Sequence, residues 1–198
     1  TSMDLCDGGL RVRPGGRRAR RRFRDDLHDA GVRRCRDHQP PGQCGLAARR
    51  RRRPLRGQLR ALYRASAHGP LRIMFPLISG VDEFVRARTL CDEVRRELLR
   101  EGVELGAPVP IGAMVETPAA ALMADRLVAR ADFLSLGTND LVQYTLAADR
   151  DNKDVAHLYL PQSPAVLRLL KFTADAACAV GKPISVCGDM ASDPQLAA

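Results

Sequence analysis

At 198 residues the chain is long enough for one domain with a real core, but short for a complete eight-unit (β/α) barrel, which takes about 250 residues. Its formal charge of +9 is local: residues 1–53 hold 16 Arg against 6 acidic residues, whereas residues 54–198 hold 16 basic against 17 acidic ones, an ordinary near-neutral globular composition. No run of about 18 apolar residues exists, which excludes a helical membrane span, and the N-terminal stretch lacks the apolar segment of a secretory signal.

Residues 1–53 contain Arg17-Arg18-Ala19-Arg20-Arg21-Arg22 and the run Arg49 to Arg53, spaced by Gly and Pro, with no sustained helical or strand period. Three readings stand: a disordered, solvated tail, an arm for nucleic-acid phosphates, and out-of-frame translation of GC-rich DNA. Phe23 is the one aromatic residue in this segment. No base-stacking platform accompanies the charge, so nucleic acid is the least favoured partner.

From Pro54 the pattern turns regular. Leu55, Leu59, Leu62 and Tyr63 predict an amphipathic helix to about Ala67. Leu71 to Ile78 reads as a buried strand, and Val81 to Arg100 as a long helix. Pro110 to Glu116 reads as a second strand, followed by an Ala-rich helix from Pro118 to Arg130. Phe133 to Leu136 reads as a third strand, ended by Gly137. A polar connection leads to a helix from about Pro164 to Val180, and Pro183 to Cys187 is the fourth strand. Short apolar strands alternating with helices predict an α/β fold with a parallel sheet. Spacing alone leaves half a barrel and a small open sheet as alternatives.

The chemistry gathers at the strand ends, where α/β proteins bind ligands. Glu116 ends the second strand and reads either as a first-turn acid or as a cation ligand. Asn139 and Asp140 follow the third, either as a helix cap or as a pair suited to a hard metal ion and its phosphate. Arg150, just beyond, offers a planar guanidinium for bidentate grip of a phosphate. Cys187 ends the fourth strand beside Gly188, where a thiol can move a proton, while Cys91 and Cys178 read as packed hydrophobes. The six cysteines are scattered without zinc-ligand spacing, which suggests a reducing, cytoplasmic setting.

Together the blocks Leu71-Arg-Ile-Met-Phe-Pro76, Met114-Val-Glu-Thr-Pro-Ala-Ala120, Phe133-Leu-Ser-Leu-Gly-Thr-Asn-Asp-Leu141, Gln143-Tyr-Thr-Leu-Ala147, Asp149-Arg150, His157-Leu-Tyr159, Ser163-Pro164 and Cys187-Gly188-Asp189 resemble the phosphoenolpyruvate (PEP)-utilising enzymes. Within them the likeness is greatest to the PEP–protein phosphotransferases, the enzymes I of bacterial sugar phosphotransferase systems. Pyruvate phosphate dikinase and PEP synthase share the Asn-Asp and Cys-Gly elements. The resemblance implies a PEP-binding (β/α)8 barrel, present here in part over residues 54–198, with residues 1–53 set apart as an Arg-rich segment. It implies Mg²⁺ held by Glu116 and Asp140, the phosphate of PEP held by Asn139 and Arg150, and Cys187 as the acid that protonates the enolate to pyruvate. It also implies a homodimer, and phosphoryl transfer to a phosphocarrier protein through a phosphohistidine domain that is not recognisable here. The family's upstream arginines and last barrel strand have no counterpart in the sequence, which suggests an incomplete, inactive fragment. His157 reads as structural, and Asp189 stands where Glu is more usual.

Overall fold

In the computed structural model, residues 3–4, 11–12 and 52–192 are described. The remainder of the Arg-rich segment, and with it the tail, frameshift and nucleic-acid readings, lies outside the described residues. The chain forms two units. One comprises Thr1–Arg13, Leu71–Thr89 and Pro108–Ala198, the other Pro14–Pro70 and Leu90–Ala107.

The first unit is built on a six-stranded sheet. Its parallel part consists of β3 (Ile73–Phe75), β4 (Ile111–Val115), β5 (Phe133–Gly137) and β6 (Ile184–Cys187). These lie side by side in chain order, with Ile73 opposite Ile111, Gly112 opposite Phe133, and Gly137 opposite Cys187. Consecutive order decides what spacing could not. A doubly wound sheet reverses its strand order at a switch point, whereas a barrel adds each strand beside the last. The fold is thus part of a (β/α)8-type barrel. Two strands of two residues each, β1 (Met3–Asp4) and β2 (Arg11–Val12), extend the sheet antiparallel beyond β6. Alternation in the sequence gave no sign of them, because two-residue strands are too short to show a period.

Helices fill the crossovers. After α1 (Arg52–Ala65), α2 (Val81–Arg100) opens with Asp82 and Glu83 and ends with Arg100, charges that suit its dipole. The Ser79 amide and hydroxyl both donate to Glu83 Oε2, at 3.0 and 3.1 Å. The single helix expected over 118–130 is instead two, α3 (Pro118–Leu122) and α4 (Ala124–Val128). An i→i−3 bond from the Met123 amide to the Ala120 carbonyl (3.2 Å) tightens the turn where they meet. Fully buried Ala120, Ala121, Ala124 and Leu127 continue the apolar face through the break. A further helix, α5 (Thr138–Leu146), follows β5 directly, and α6 (Pro164–Ala179) leads back to β6. Val142, Val166 and Met190 form a small core with Leu146, Tyr159 and Leu170, which ties both helices to the turn Asp189–Ser192.

In the second unit, Leu59 and Tyr63 of α1 are buried, as are Cys91, Val94 and Leu98 of α2. Arg56 reaches Glu93 at 3.2 Å and also pairs with Glu97, and Arg60 reaches Glu101 at 3.0 Å. No helix among the described residues is long and apolar enough to cross a membrane.

Candidate functional site

Glu116, Asn139, Asp140 and Cys187 stand at the C-terminal ends of three adjacent parallel strands, and Arg150 lies in the turn beyond α5. Glu116 follows β4 and is 5% exposed. It does not cap the next helix. Thr117 does that, with its hydroxyl accepting from the Ala120 amide at 3.1 Å and donating to the Ile78 carbonyl at 3.0 Å. The amide of Leu77 donates to Glu116 Oε1 at 2.6 Å. Leu77 holds a φ of +54°, a left-handed conformation that costs a non-glycine residue about 1–3 kcal/mol. On its other side Glu116 packs on Gly137: a Cβ there would stand 2.8 Å from both Cβ and Oε2 of the glutamate. Only glycine lets the buried carboxylate lie against β5.

Thr138 and Asn139 open α5, yet neither caps it. Gly137 is the N-cap, with no side-chain bond. Both side chains turn to the neighbouring strand end. The Thr138 hydroxyl donates to the Cys187 carbonyl at 2.9 Å, and Asn139 Oδ1 accepts from the Asp189 amide at 2.9 Å. Gly188, with φ at +108°, makes room for this. A Cβ there would lie 2.4 Å from Thr138 Oγ1 and 2.8 Å from Asn139 Oδ1. The two turns are stitched together through the fourth-strand glycine.

Asp140 is one residue further into α5. Arg150 Nη2 stands 4.0 Å from its Oδ1, with the Arg150 side chain 20% exposed. Arg150 Nη1 is buried and has no hydrogen-bond partner among the described residues. A buried cationic donor left unpaired is costly, and such a group marks where an anion or water belongs. The Tyr159 hydroxyl donates to the Asn139 carbonyl at 3.2 Å. Burial raises the pKa of Tyr159; the Arg150 guanidinium beside it opposes this, and Asp189 and Asp140 reinforce it. The phenol therefore keeps its proton at neutral pH.

Cys187 is part-buried. Its thiol donates to the Leu136 carbonyl at 3.2 Å and accepts from the Ser135 hydroxyl at 3.5 Å. Burial pushes the thiol above its ordinary value, the Ser135 hydrogen bond pulls it down, and the Glu116 charge pushes it up again. The sulfur thus carries a proton at neutral pH and can give it up.

The strand ends bring Glu116, Asn139, Asp140, Arg150 and Cys187 to one edge of the sheet. Cys91 is packed away at 0% exposure as expected. Cys178 is exposed, not packed. On α6 the buried positions are Val166, Thr173 and Ala177, so the helical period turns the next residue outward. His157 is exposed on a short 3-10 turn, Ala156–Leu158. Leu77, Ser135, Thr138 and Tyr159 carried no sequence signal of a role. A backbone amide shows none, and Ser135 and Thr138 sit within a run that reads as strand and turn. Tyr159 lay in a recognisable block, but its approach to Asn139 depends on the fold.

Residues 45–198 match the family model described as PEP-utilising enzyme, PEP-binding domain. A phosphoenolpyruvate-protein phosphotransferase of Geobacillus stearothermophilus is 53% identical over 139 residues, which is 70% of this chain and 24% of that protein. One of Enterococcus faecalis is 50% identical over 138 residues, again 24% of its length. The chain spans about a quarter of the length of the curated relatives it matches. A crystal structure of a citrate lyase from Burkholderia xenovorans LB400 superposes with a TM-score of 0.50 at 28% identity, over 64% of this chain and 38% of that one.

Proposed function

The chain belongs to the family of PEP-utilising enzymes, by their PEP-binding domain, and on that premise we propose that it is the part of a PEP–protein phosphotransferase that holds PEP during phosphoryl transfer and pyruvate release. The observation that carries this reading is the unpaired, buried Arg150 Nη1 beside Asp140. A phosphate is the anion whose paired oxygens suit a guanidinium fork.

The roles follow from the chemistry of each group. Arg150 grips the phosphate, and Asn139, fixed by the Asp189 amide through its Oδ1, offers its amide nitrogen as a second donor. Glu116 and Asp140 fit a divalent cation such as Mg²⁺, which needs only one or two protein carboxylates and takes its other oxygens from water and substrate. Among the described residues no group of three or more His, Cys, Asp or Glu side chains converges, so a cation here would rest on that carboxylate pair. When bound, it neutralises charge on the phosphate, which phosphoryl transfer demands more than covalent help. Leu77 and Gly137 hold the Glu116 carboxylate from two sides. The protonated Cys187 thiol supplies the proton that the enolate carbon needs to become pyruvate.

In this reading the acceptor is a histidine of a phosphotransferase-system protein, a phosphocarrier follows, the barrel pairs as a homodimer, and the setting is cytoplasmic. The names of the relatives support the phosphotransferase-system partners, and the homodimer and the cytoplasmic setting are part of the proposal.

Calorimetric titration of PEP into the chain tests it. Saturable binding is expected with Mg²⁺ present and little without it. Arg150→Ala should weaken binding by roughly 10- to 150-fold, the worth of a charge-assisted contact of about 1.5–3 kcal/mol. Absence of binding with the cation present, or equal binding by the variant, overturns the assignment.

A further inference from the structure

Ser135 is a hydroxyl buried at 5% exposure in the middle of a strand that is otherwise Phe, Leu, Leu and Gly. Nothing about β5 as a packed strand calls for it. Its cross-strand partner in the parallel register is Ser185, and Ser185 and Cys187, two apart on β6, share a face. The three polar side chains therefore meet. Ser185 Oγ donates to Ser135 Oγ at 3.4 Å, Ser135 Oγ donates to Cys187 Sγ at 3.5 Å, and Sγ donates to the Leu136 carbonyl at 3.2 Å.

A serine has one proton to give. With the Ser185 proton resting on its oxygen, Ser135 commits its own to the sulfur. We infer that Ser135 is a positioning residue for Cys187, holding the sulfur at the strand end and stabilising the charge left on it when its proton departs. This deepens, and rests on, the reading of Cys187 as the acid. As the C–H bond of pyruvate forms, the S–H bond breaks and its electron pair stays on sulfur. The Ser135 hydroxyl then faces a thiolate, and solvent water returns the proton. Among the described residues, Glu116 is the charged group acting on the same sulfur. Its repulsion makes a neutral donor at the thiolate more valuable.

Two readouts separate the inference from the reading beneath it. The first needs no catalysis: iodoacetamide labelling of Cys187 in the intact chain, followed by peptide mass spectrometry. Ser135→Ala should slow labelling at pH 8 by roughly 10-fold, the scale of a lost hydrogen bond to a charged group, and Ser135→Thr should restore it. Unchanged labelling in a Ser135→Ala chain whose circular dichroism matches the wild type overturns the inference. The second is deuterium uptake into the pyruvate methyl group with Mg²⁺ in heavy water. Ser135→Ala should lower kcat and leave KM within about twofold; a rise in KM with kcat intact also overturns it. Undiminished uptake by Cys187→Ala instead removes Cys187 as the acid, whatever the labelling shows.

Discussion

Gly188 shows how much of this site depends on single atoms. Its φ of +108° is strained for any side chain, and a methyl group would press on the Thr138 hydroxyl at 2.4 Å. Gly188→Ala should therefore destabilise the fold by about 1–3 kcal/mol and break the Thr138–Cys187 and Asn139–Asp189 links at once. Thermal melting gives the first, and PEP titration gives the second as a loss of affinity. A variant that melts with the wild type and binds as well would show that this turn has slack. The thiols separate by environment in the same way. Cys178 is exposed, Cys91 is buried, and Cys187 is part-buried with its pKa pushed up. In native protein without added cation, iodoacetamide should therefore mark Cys178 well before Cys187 and leave Cys91 unlabelled. Labelling of Cys91 at the rate of Cys178 would contradict the packing of α1 on α2.

At the scale of elements, Thr117 joins three pieces of chain. It caps α3 through the Ala120 amide and returns its own proton to the Ile78 carbonyl beyond β3. Removing the hydroxyl costs the cap and leaves a carbonyl short of a donor, so Thr117→Ala should lose about 1–2 kcal/mol in a melting experiment, while Thr117→Ser should lose much less. Equal melting of both variants would mean that the β4–α3 turn is held by Pro118 and the alanine packing alone. Thr117 stands next to Glu116, so the same change should also weaken the cation binding proposed for that carboxylate. The ion pairs between α1 and α2 are of another kind. Arg60 and Glu101 lie in solvent, where such pairs contribute little to stability.

For the whole molecule, the parallel strands in consecutive order place their C-terminal ends on one edge, and the ligands proposed for that edge should stabilise the fold. Mg²⁺ and PEP together at a hundred times the dissociation constant should raise stability by about 2.7 kcal/mol, visible as a shift in melting temperature. The shift should be absent for either alone and lost in Glu116→Gln. A melting temperature indifferent to both ligands would argue against a site at this edge.

Much of this architecture was legible in the sequence. The runs at 111–115 and 133–137 are strands because side chains buried on both faces leave little polar alternation, whereas in the run at 184–187 Ile184 alone is buried. The long helix over 81–100 carries its own dipole-matched charges and apolar period. The residue types at the strand ends were equally readable, since an acid, an amide-acid pair, an arginine and a thiol announce their chemistry wherever they stand. Tertiary structure alone decided the rest. Half a barrel and an open sheet share one local pattern and differ only in which strands become neighbours, a long-range matter. The same holds for the pinning of Glu116 by Leu77, for the turn of Asn139 away from its own helix toward Asp189, and for the meeting of Ser135 with Cys187. Each joins residues 39 to 52 positions apart, a separation over which no propensity or period acts.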